Sequence, residues 1–354
     1  MPVWKIGLVG AGWWSEKHLK AWSHIPGAEI KALCDTNEER LQARAAEFGV
    51  SSNHLYRGIS EMLEKADIDI VDIVTGPDTH LELVRCAAAS GKHILCQKPF
   101  AASMREAEEM VRIAKEAGVR LMVTENWRWL QPFQIIKRLI EAGTLGTLHA
   151  ARYIHTDYYT PRMEPGTILP QPFFREMPKL LFLEMGPHWF DTWRFLFGTP
   201  ERLYAEIQRV SPHIAGEDSG IVVMGYDHFC GYLDASWATR QKLDRPLGTE
   251  VGPVHLEQLV IDGSEATLKM YTSGRIVVVS KDGVGEQIFA DRMELDHEES
   301  HIRLQAHFLE CLQSGEVFAT EGSDNLITLS MVFGVYESAA KHEPIKIGGR
   351  TRDY

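Results

Sequence analysis

The sequence predicts an α/β protein of two domains: a doubly wound parallel sheet over residues 1–126, then an α+β domain over residues 127–354 with a large, mostly antiparallel open sheet. Three observations carry this expectation. Short apolar runs alternate with amphipathic segments up to about residue 125, the signature of a parallel sheet covered on both faces. The texture then changes to long β-rich runs joined by turn-like peptides. Finally, 354 residues, 44% of them apolar, exceed what one hydrophobic core usually organises.

The elements follow in order. "KIGLVG" reads as the first strand and precedes a helical stretch; "AEIKALCD" is the second strand, followed by the helix "NEERLQARAAEFG". "IDIVDIVTG" leads to a helix from about Thr79 to Ser90, "KHILCQK" to one from about Ser103 to Ala117, and "RLMVTEN" closes the sheet. A further helix, "FQIIKRLIEAGTLG", ends at Gly143 and Gly146. Beyond it "LHAARYIHTDYY", "ERLYAEIQRV", "SGIVVMGYDHFCGYLDASWAT", "LEQLVIDGSEATLKMY" and "RIVVVSKDGVGEQIFA" read as strands, with hairpins at "YDHFCG", "DGSE" and "TSGR". Two late helices, "HIRLQAHFLECLQSG" and "SDNLITLSMVFGVYESAAKH", complete the chain. Helices on one face of such a sheet leave the other needing cover, so a homo-oligomer, dimer or tetramer, is expected through it. The Pro-rich segment at 160–182 has no clear period and is either an active-site loop or a surface loop without a role.

Composition narrows the partners. A formal charge of −12 with no run of Lys and Arg argues against nucleic acid and favours a small molecule. The five cysteines form no C-x-x-C pair, which fits reduced thiols rather than disulfides or a zinc knuckle. Met1 runs almost directly into the first strand, and no apolar run approaches a membrane span, so a soluble cytoplasmic protein is expected.

In "LVGAGWWSEKH", Gly10 and Gly12 supply two glycines of G-x-G-x-x-G between a strand and a helix, where a backbone can approach a pyrophosphate at a helix N-terminus. Ser15 stands in place of the third glycine, which mainly permits close helix packing. Trp13 and Trp14 occupy the gap; Trp13 is expected either to wall the nicotinamide or substrate side of the pocket or to be core. Asp35 ends the second strand, where a carboxylate hydrogen-bonds the adenosine ribose; capping the next helix is its alternative role. Thr36 and Asn37 add no positive charge for a 2′-phosphate, so NAD is expected before NADP.

Hydride chemistry at an alcohol needs a group that takes or gives the hydroxyl proton near neutral pH. Lys98 lies at the carboxyl end of a strand, and Pro99 after it admits a cis bond that would turn the ammonium inward. His188 has Glu184 four residues before it and Asp191 three after, a shared face if the segment is helical, and a carboxylate there would fix the imidazole tautomer. No third convergent ligand is identifiable, so no metal is expected.

Taken together, "GLVGAGWW", "CDTNEERLQARAAEFG", "DIVDIVTGPDTH", "GKHILCQKPFA", "ENWRWLQPFQIIKRLIEAGTLG", "FFREMPKLLFLEMGPHWFDTWRFLFG" and "VIDGSEATLKM" resemble the glucose-fructose oxidoreductase / inositol dehydrogenase / rhizopine-catabolism family over nearly the whole chain. The resemblance implies a Rossmann domain, an open-sheet α/β domain, and oxidation of a sugar or cyclic polyol hydroxyl. The family's Glu-Lys-Pro is matched by Gln97, Lys98 and Pro99, so Lys98 is implied at substrate and cofactor and Gln97 at the cofactor. An amide at 97 keeps hydrogen bonds but brings no negative charge. Asp-x-Gly-x-His is matched by "EMGPH", which implies His188 as acid/base and Glu184 where aspartate is commoner. By the same resemblance Gly10, Gly12, Trp13, Trp14, Asp35, Thr75, Pro77, His80 and Asn126 are expected at the cofactor, and Trp13, Arg128 and Arg175 at the substrate. The glycine-rich run usual after that arginine is replaced by "PKLLFLE". "CQKPFA", "ENWRW" and "EMGPHWFDTWRFLFG" look most like the D-apiose dehydrogenases of the family, which implies oxidation of a branched aldofuranose at its anomeric carbon to a lactone. An NAD-dependent sugar dehydrogenase is the leading expectation. A redox-assisted isomerase, lyase or glycosidase with tightly bound NAD, and a cofactor-binding regulator without turnover, are the alternatives.

Overall fold

The structure, a computed structural model, describes residues 3–240 and 256–348. The chain begins β1 (Trp4–Val9), α1 (Ser15–His24), β2 (Ala28–Cys34), α2 (Glu38–Phe48), β3 (Leu55–Tyr56), α3 (Ile59–Lys65), β4 (Ile70–Ile73), α4 (Pro77–Ala89), β5 (His93–Cys96), α5 (Met104–Glu116) and β6 (Leu121–Val123). It continues with α6 (Gln131–Glu141), β7 (Leu148–Thr156), α7 (Leu181–Glu184), α8 (Gly186–Phe197), β8 (Arg202–Gln208), β9 (Ser219–Gly225), β10 (Cys230–Ser236), β11 (Leu256–Gly263), β12 (Ala266–Met270), β13 (Ile276–Ser280) and β14 (Glu286–Ala290). Last come α9 (His297–Ser314), α10 (Gly322–Lys341) and β15 (Ile345–Lys346). The strands expected from apolar runs are present; β3 and β15, two residues each, are too short to leave a periodic signal.

Two compact units divide these elements, residues 1–130 with 296–329, and 131–295 with 330–354. In the first, six strands in the order β3-β2-β1-β4-β5-β6 all pair in parallel. The strand order reverses between β1 and β4, and the crevice outside such a switch point is where doubly wound sheets bind ligands. Every side chain of β4 and β6 is buried, which explains their lack of alternation. This division differs from a boundary at residue 126, because α9 packs in the first unit: Leu304 and Phe308 join Ile6, Trp22, Leu95 and Met122 in one buried cluster. Burying each such side chain contributes roughly 1.5–3 kcal/mol, so the amphipathic face of α9 has a strong reason to return to this sheet.

In the second unit, nine strands run β14-β13-β12-β11-β7-β10-β9-β8-β15. Only β7 and β10 pair in parallel among the described strands. One face carries Tyr153, Ala205, Val222, Met224, Leu233, Leu259 and Leu268, all buried. Helices cover it, with Phe133 of α6 against Tyr153, Trp189 of α8 against His155, and Ser338 of α10 accepting the Ala205 N–H. The opposite face leaves Ile221 and Val223 of β9 exposed. The irregular segment 160–182 holds two 3-10 turns, at Thr160–Arg162 and Pro172–Arg175. No described helix is long and apolar enough to cross a membrane.

Candidate active site

The glycine turn is built as its sequence requires. Gly10 has φ +101°, and a Cβ there would lie 2.3 Å from the Val74 carbonyl oxygen, so glycine lets the ends of β1 and β4 meet. A Cβ at Gly12 would meet nothing within 4 Å, which leaves an open cradle beside the first helical turn. The N-cap of α1, Trp14, makes no side-chain capping bond. An open, uncapped helix start fits a dinucleotide pyrophosphate. Ser15 does more than stay small: it is fully buried, its hydroxyl donates to Gly12 O at 2.6 Å, and it accepts from Arg44 Nε at 3.1 Å. Arg44, on α2, was not singled out in the sequence, where it reads as one surface charge on an amphipathic helix. Trp13 is 53% exposed, its indole 5.4 Å from that of Trp14, so it is not a core residue.

Asp35 sits at the end of β2, with Oδ2 accepting the Ala11 N–H at 2.6 Å and Oδ1 the Asn37 N–H at 2.7 Å. It thereby joins the glycine turn to the β2–α2 loop. The cap of α2 is Asn37, whose side chain accepts from Arg40 N, so the capping alternative for Asp35 is corrected. Arg57, arriving after β3, donates to the Thr36 carbonyl at 2.6 Å and to Glu38 at 3.2 Å. It places a positive charge that the sequence near Asp35 did not show.

At the ends of β4 and β5, Thr75 leads into α4, where Pro77 occupies the first turn and the Thr75 hydroxyl bonds Thr79. His80 is fully buried: Nδ1 lies 3.0 Å from the Phe100 carbonyl oxygen and Nε2 3.1 Å from that of Thr75. Burial, the larger influence, pulls its pKa below the ordinary value, and the two carbonyls act in the opposite sense. The His80 ring thus links the β4 loop to the Lys98 corner from inside. Gln97 is buried, and its amide faces His18, Thr124 and the Lys98 N–H. Lys98 follows it, half-buried, with a cis peptide to Pro99. Asn126 donates to Ser300 Oγ at 2.8 Å, and Arg128 donates to the Ala319 carbonyl at 2.8 Å; both are buried braces toward 296–329.

In the second unit, His188 lies in the first turn of α8, buried, with Asp191 buried one turn on. Glu184 is not on that helix. It ends the four-residue α7, and Met185, itself in right-handed helical conformation, links it to α8. The segment "PKLLFLE" that stands where glycines are usual forms this short helix because Glu217 fastens it. The Glu217 carboxylate accepts from Leu180 N at 3.1 Å, Phe182 N at 3.0 Å and the Tyr336 hydroxyl at 2.6 Å. Burial, reinforced by Glu217, pushes the Tyr336 phenol far above its ordinary pKa and keeps it a donor. Sequence reasoning missed Glu217, which lies 35 residues or more from every group it holds. Arg175 donates to the carbonyls of Met163, Glu164 and Thr167, bracing the 160–182 loop. Among the described residues no group of three or more His, Cys, Asp or Glu is arranged to hold a metal ion.

Comparison with known proteins places this geometry. Residues 4–125 match the family model described as the oxidoreductase family with NAD-binding Rossmann fold, and residues 133–269 match the GFO/IDH/MocA C-terminal domain. D-apiose dehydrogenase of Paraburkholderia graminis is 34% identical over 97% of this chain and 89% of its own length. That of Rhizobium rhizogenes is 33% identical over 98% and 99%. A solved oxidoreductase from Agrobacterium radiobacter, in complex with NAD+, L-tartaric acid and magnesium, has TM-score 0.86 and 30% identity, covering 98% of each chain. The two family-model matches cover most of the chain, which carries a six-stranded parallel sheet and a nine-stranded open sheet, and the chain belongs to the GFO/IDH/MocA family of NAD-binding oxidoreductases.

Proposed function

We propose that this protein is an NAD-dependent sugar dehydrogenase that oxidises a monosaccharide hydroxyl, with D-apiose, oxidised at its anomeric carbon to the lactone, as the first candidate. The observation that carries this reading is the match to two D-apiose dehydrogenases over nearly the full length of both partners. Gly10, Gly12, Trp13, Trp14, Asp35, Thr75 and Pro77 would hold the cofactor, which supplies a hydride acceptor when bound. Asp35 favours NAD over NADP, because a carboxylate suits a ribose hydroxyl and repels a 2′-phosphate. Lys98 and His188 take the acid/base roles: the Lys98 ammonium hydrogen-bonds the reacting hydroxyl, and His188 accepts the O–H proton while the C–H hydrogen would leave as hydride to the bound cofactor. Imidazole suits that task because its ordinary pKa lies near neutrality. Glu184 and Arg175 line the sugar side, and Asn126 and Arg128 fix the chain that leaves β6.

The free thiols of all five cysteines accord with a reducing compartment, the cytoplasm. Exposed Ile221 and Val223 on the uncovered face of the second sheet support a dimer or tetramer through that face. The test is a panel of pentoses, hexoses and inositols with NAD or NADP, followed by absorbance of the reduced cofactor. Steady NADH formation with D-apiose is expected. If no sugar gives steady NADH while the purified protein carries tightly held cofactor, a closed redox cycle replaces the dehydrogenase reading.

A further inference from the structure

Behind Lys98 lies a buried polar chain that the proposed chemistry does not use. Asp72 on β4, His18 on α1 and Gln97 after β5 are all buried, Asp72 and His18 fully. His18 Nδ1 is 3.0 Å from Asp72 Oδ2 and 3.1 Å from Oδ1, and the Trp22 indole N–H donates to Oδ2 at 2.8 Å. His18 Nε2 is 3.0 Å from Gln97 Nε2. Gln97 Oε1 accepts the Lys98 backbone N–H at 2.6 Å and the Thr124 hydroxyl at 2.9 Å.

Donor chemistry fixes every orientation here. A backbone N–H only donates, so the Gln97 atom facing Lys98 is the carbonyl oxygen, and the atom facing His18 is the NH₂. That NH₂ donates, so His18 Nε2 presents a lone pair and the ring proton sits on Nδ1, aimed at Asp72. The result runs one way, from the Lys98 N–H to Gln97, from Gln97 to His18, and from His18 to a carboxylate. Bonds aligned head to tail polarise one another and strengthen in a buried setting. An ionised glutamate at 97 could not take the same place, although its neutral acid could. Its carboxylate would need a donor from Nε2, and His18 would then have to carry both ring protons.

We propose that Asp72, His18 and Gln97 are positioning residues that tether the Lys98 corner, and that the amide at 97 holds His18 as the neutral Nδ1–H imidazole. The functional half of this proposal rests on the reading of Lys98 as an acid/base group; the tautomer does not. The experiment is ¹⁵N NMR of histidine-labelled full-length protein near pH 7, with the His18 signals assigned by their loss in His18→Gln. The wild type is expected to show His18 protonated at Nδ1 and bare at Nε2. A wild-type ring protonated at Nε2, or at both nitrogens, overturns the assignment. In turnover assays Gln97→Ala is expected to lower kcat at least tenfold while NAD affinity, read by fluorescence quenching, changes less than twofold. An unchanged kcat overturns the positioning role. Full activity in Lys98→Ala would defeat the acid/base reading and the tether's role in turnover, and would leave the tautomer result standing by itself.

Discussion

The corner at residues 97–100 and the segment at residues 180–188 each carry a proposed acid/base side chain, and they are fastened in different ways. Lys98 follows directly from a strand of the parallel sheet, and its backbone N–H feeds a chain of buried groups drawn from β4, α1 and the end of β5. His188 follows an irregular stretch that has no sheet to inherit a position from. There one buried carboxylate, Glu217, gathers two backbone N–H groups and a phenol. Strand ends are placed by the register of the sheet, and side-chain polar groups only refine them. Irregular segments need a dedicated fastener, and its loss is felt locally and strongly.

The largest effects should come from removing the proposed chemical groups themselves. Lys98→Ala and His188→Ala should each lower turnover by about 10²–10⁴-fold, the range of acid–base catalysis. Retained activity in both would end the mechanism. Next comes the fastener. Glu217→Ala removes charge-assisted bonds worth roughly 1.5–3 kcal/mol each before relaxation. Unfolding monitored in denaturant should therefore show a loss of about 3 kcal/mol, with turnover lowered more than NAD affinity. A variant as stable and active as the parent would show that α7 is held by its apolar contacts alone.

A change at Trp13 tests the proposed sugar side apart from the cofactor side. Its exposed indole offers a stacking face worth about 0.5–1.5 kcal/mol, so Trp13→Ala should raise the sugar KM roughly twofold to twelvefold. NAD binding should stay unchanged, and an unaltered sugar KM would exclude the indole from the pocket wall. The smallest effect concerns His80. Burial lowers its folded pKa beneath that of the unfolded chain, so the folded state binds fewer protons as acid is added. Its contribution to stability is full above about pH 6.5 and declines as pH falls below that value. Thermal midpoints between pH 7 and pH 5 should accordingly fall less in His80→Gln than in the parent; an identical slope would count against a neutral buried ring.

The same contrast explains how much was legible in the sequence. Apolar runs identified the strands of both sheets except the two-residue β3 and β15, and Gly10 and Asp35 stood at the strand ends the glycine turn requires. Such features are local, because the backbone demands them at that point. Ser15 was legible as small and not as a partner of Arg44, since nothing in the spacing of α2 says which charge turns toward the glycine turn. The buried partners of Gln97 and His80 were equally illegible, since they come from the β4 loop, α1 and the Lys98 corner. The amphipathic pattern of α9 announced a buried face without saying which sheet it would cover. Glu217 left no trace at all, since its role exists only once β9 begins beside α7 in the folded unit.

The most direct measurement is the stoichiometry of D-apiose oxidation by the purified protein with added NAD. One equivalent of lactone should accumulate with each equivalent of NADH over many turnovers, and the signal should vanish in Lys98→Ala and His188→Ala. Sugar conversion without net NADH, or no conversion of any sugar by protein that still binds NAD, would contradict the account.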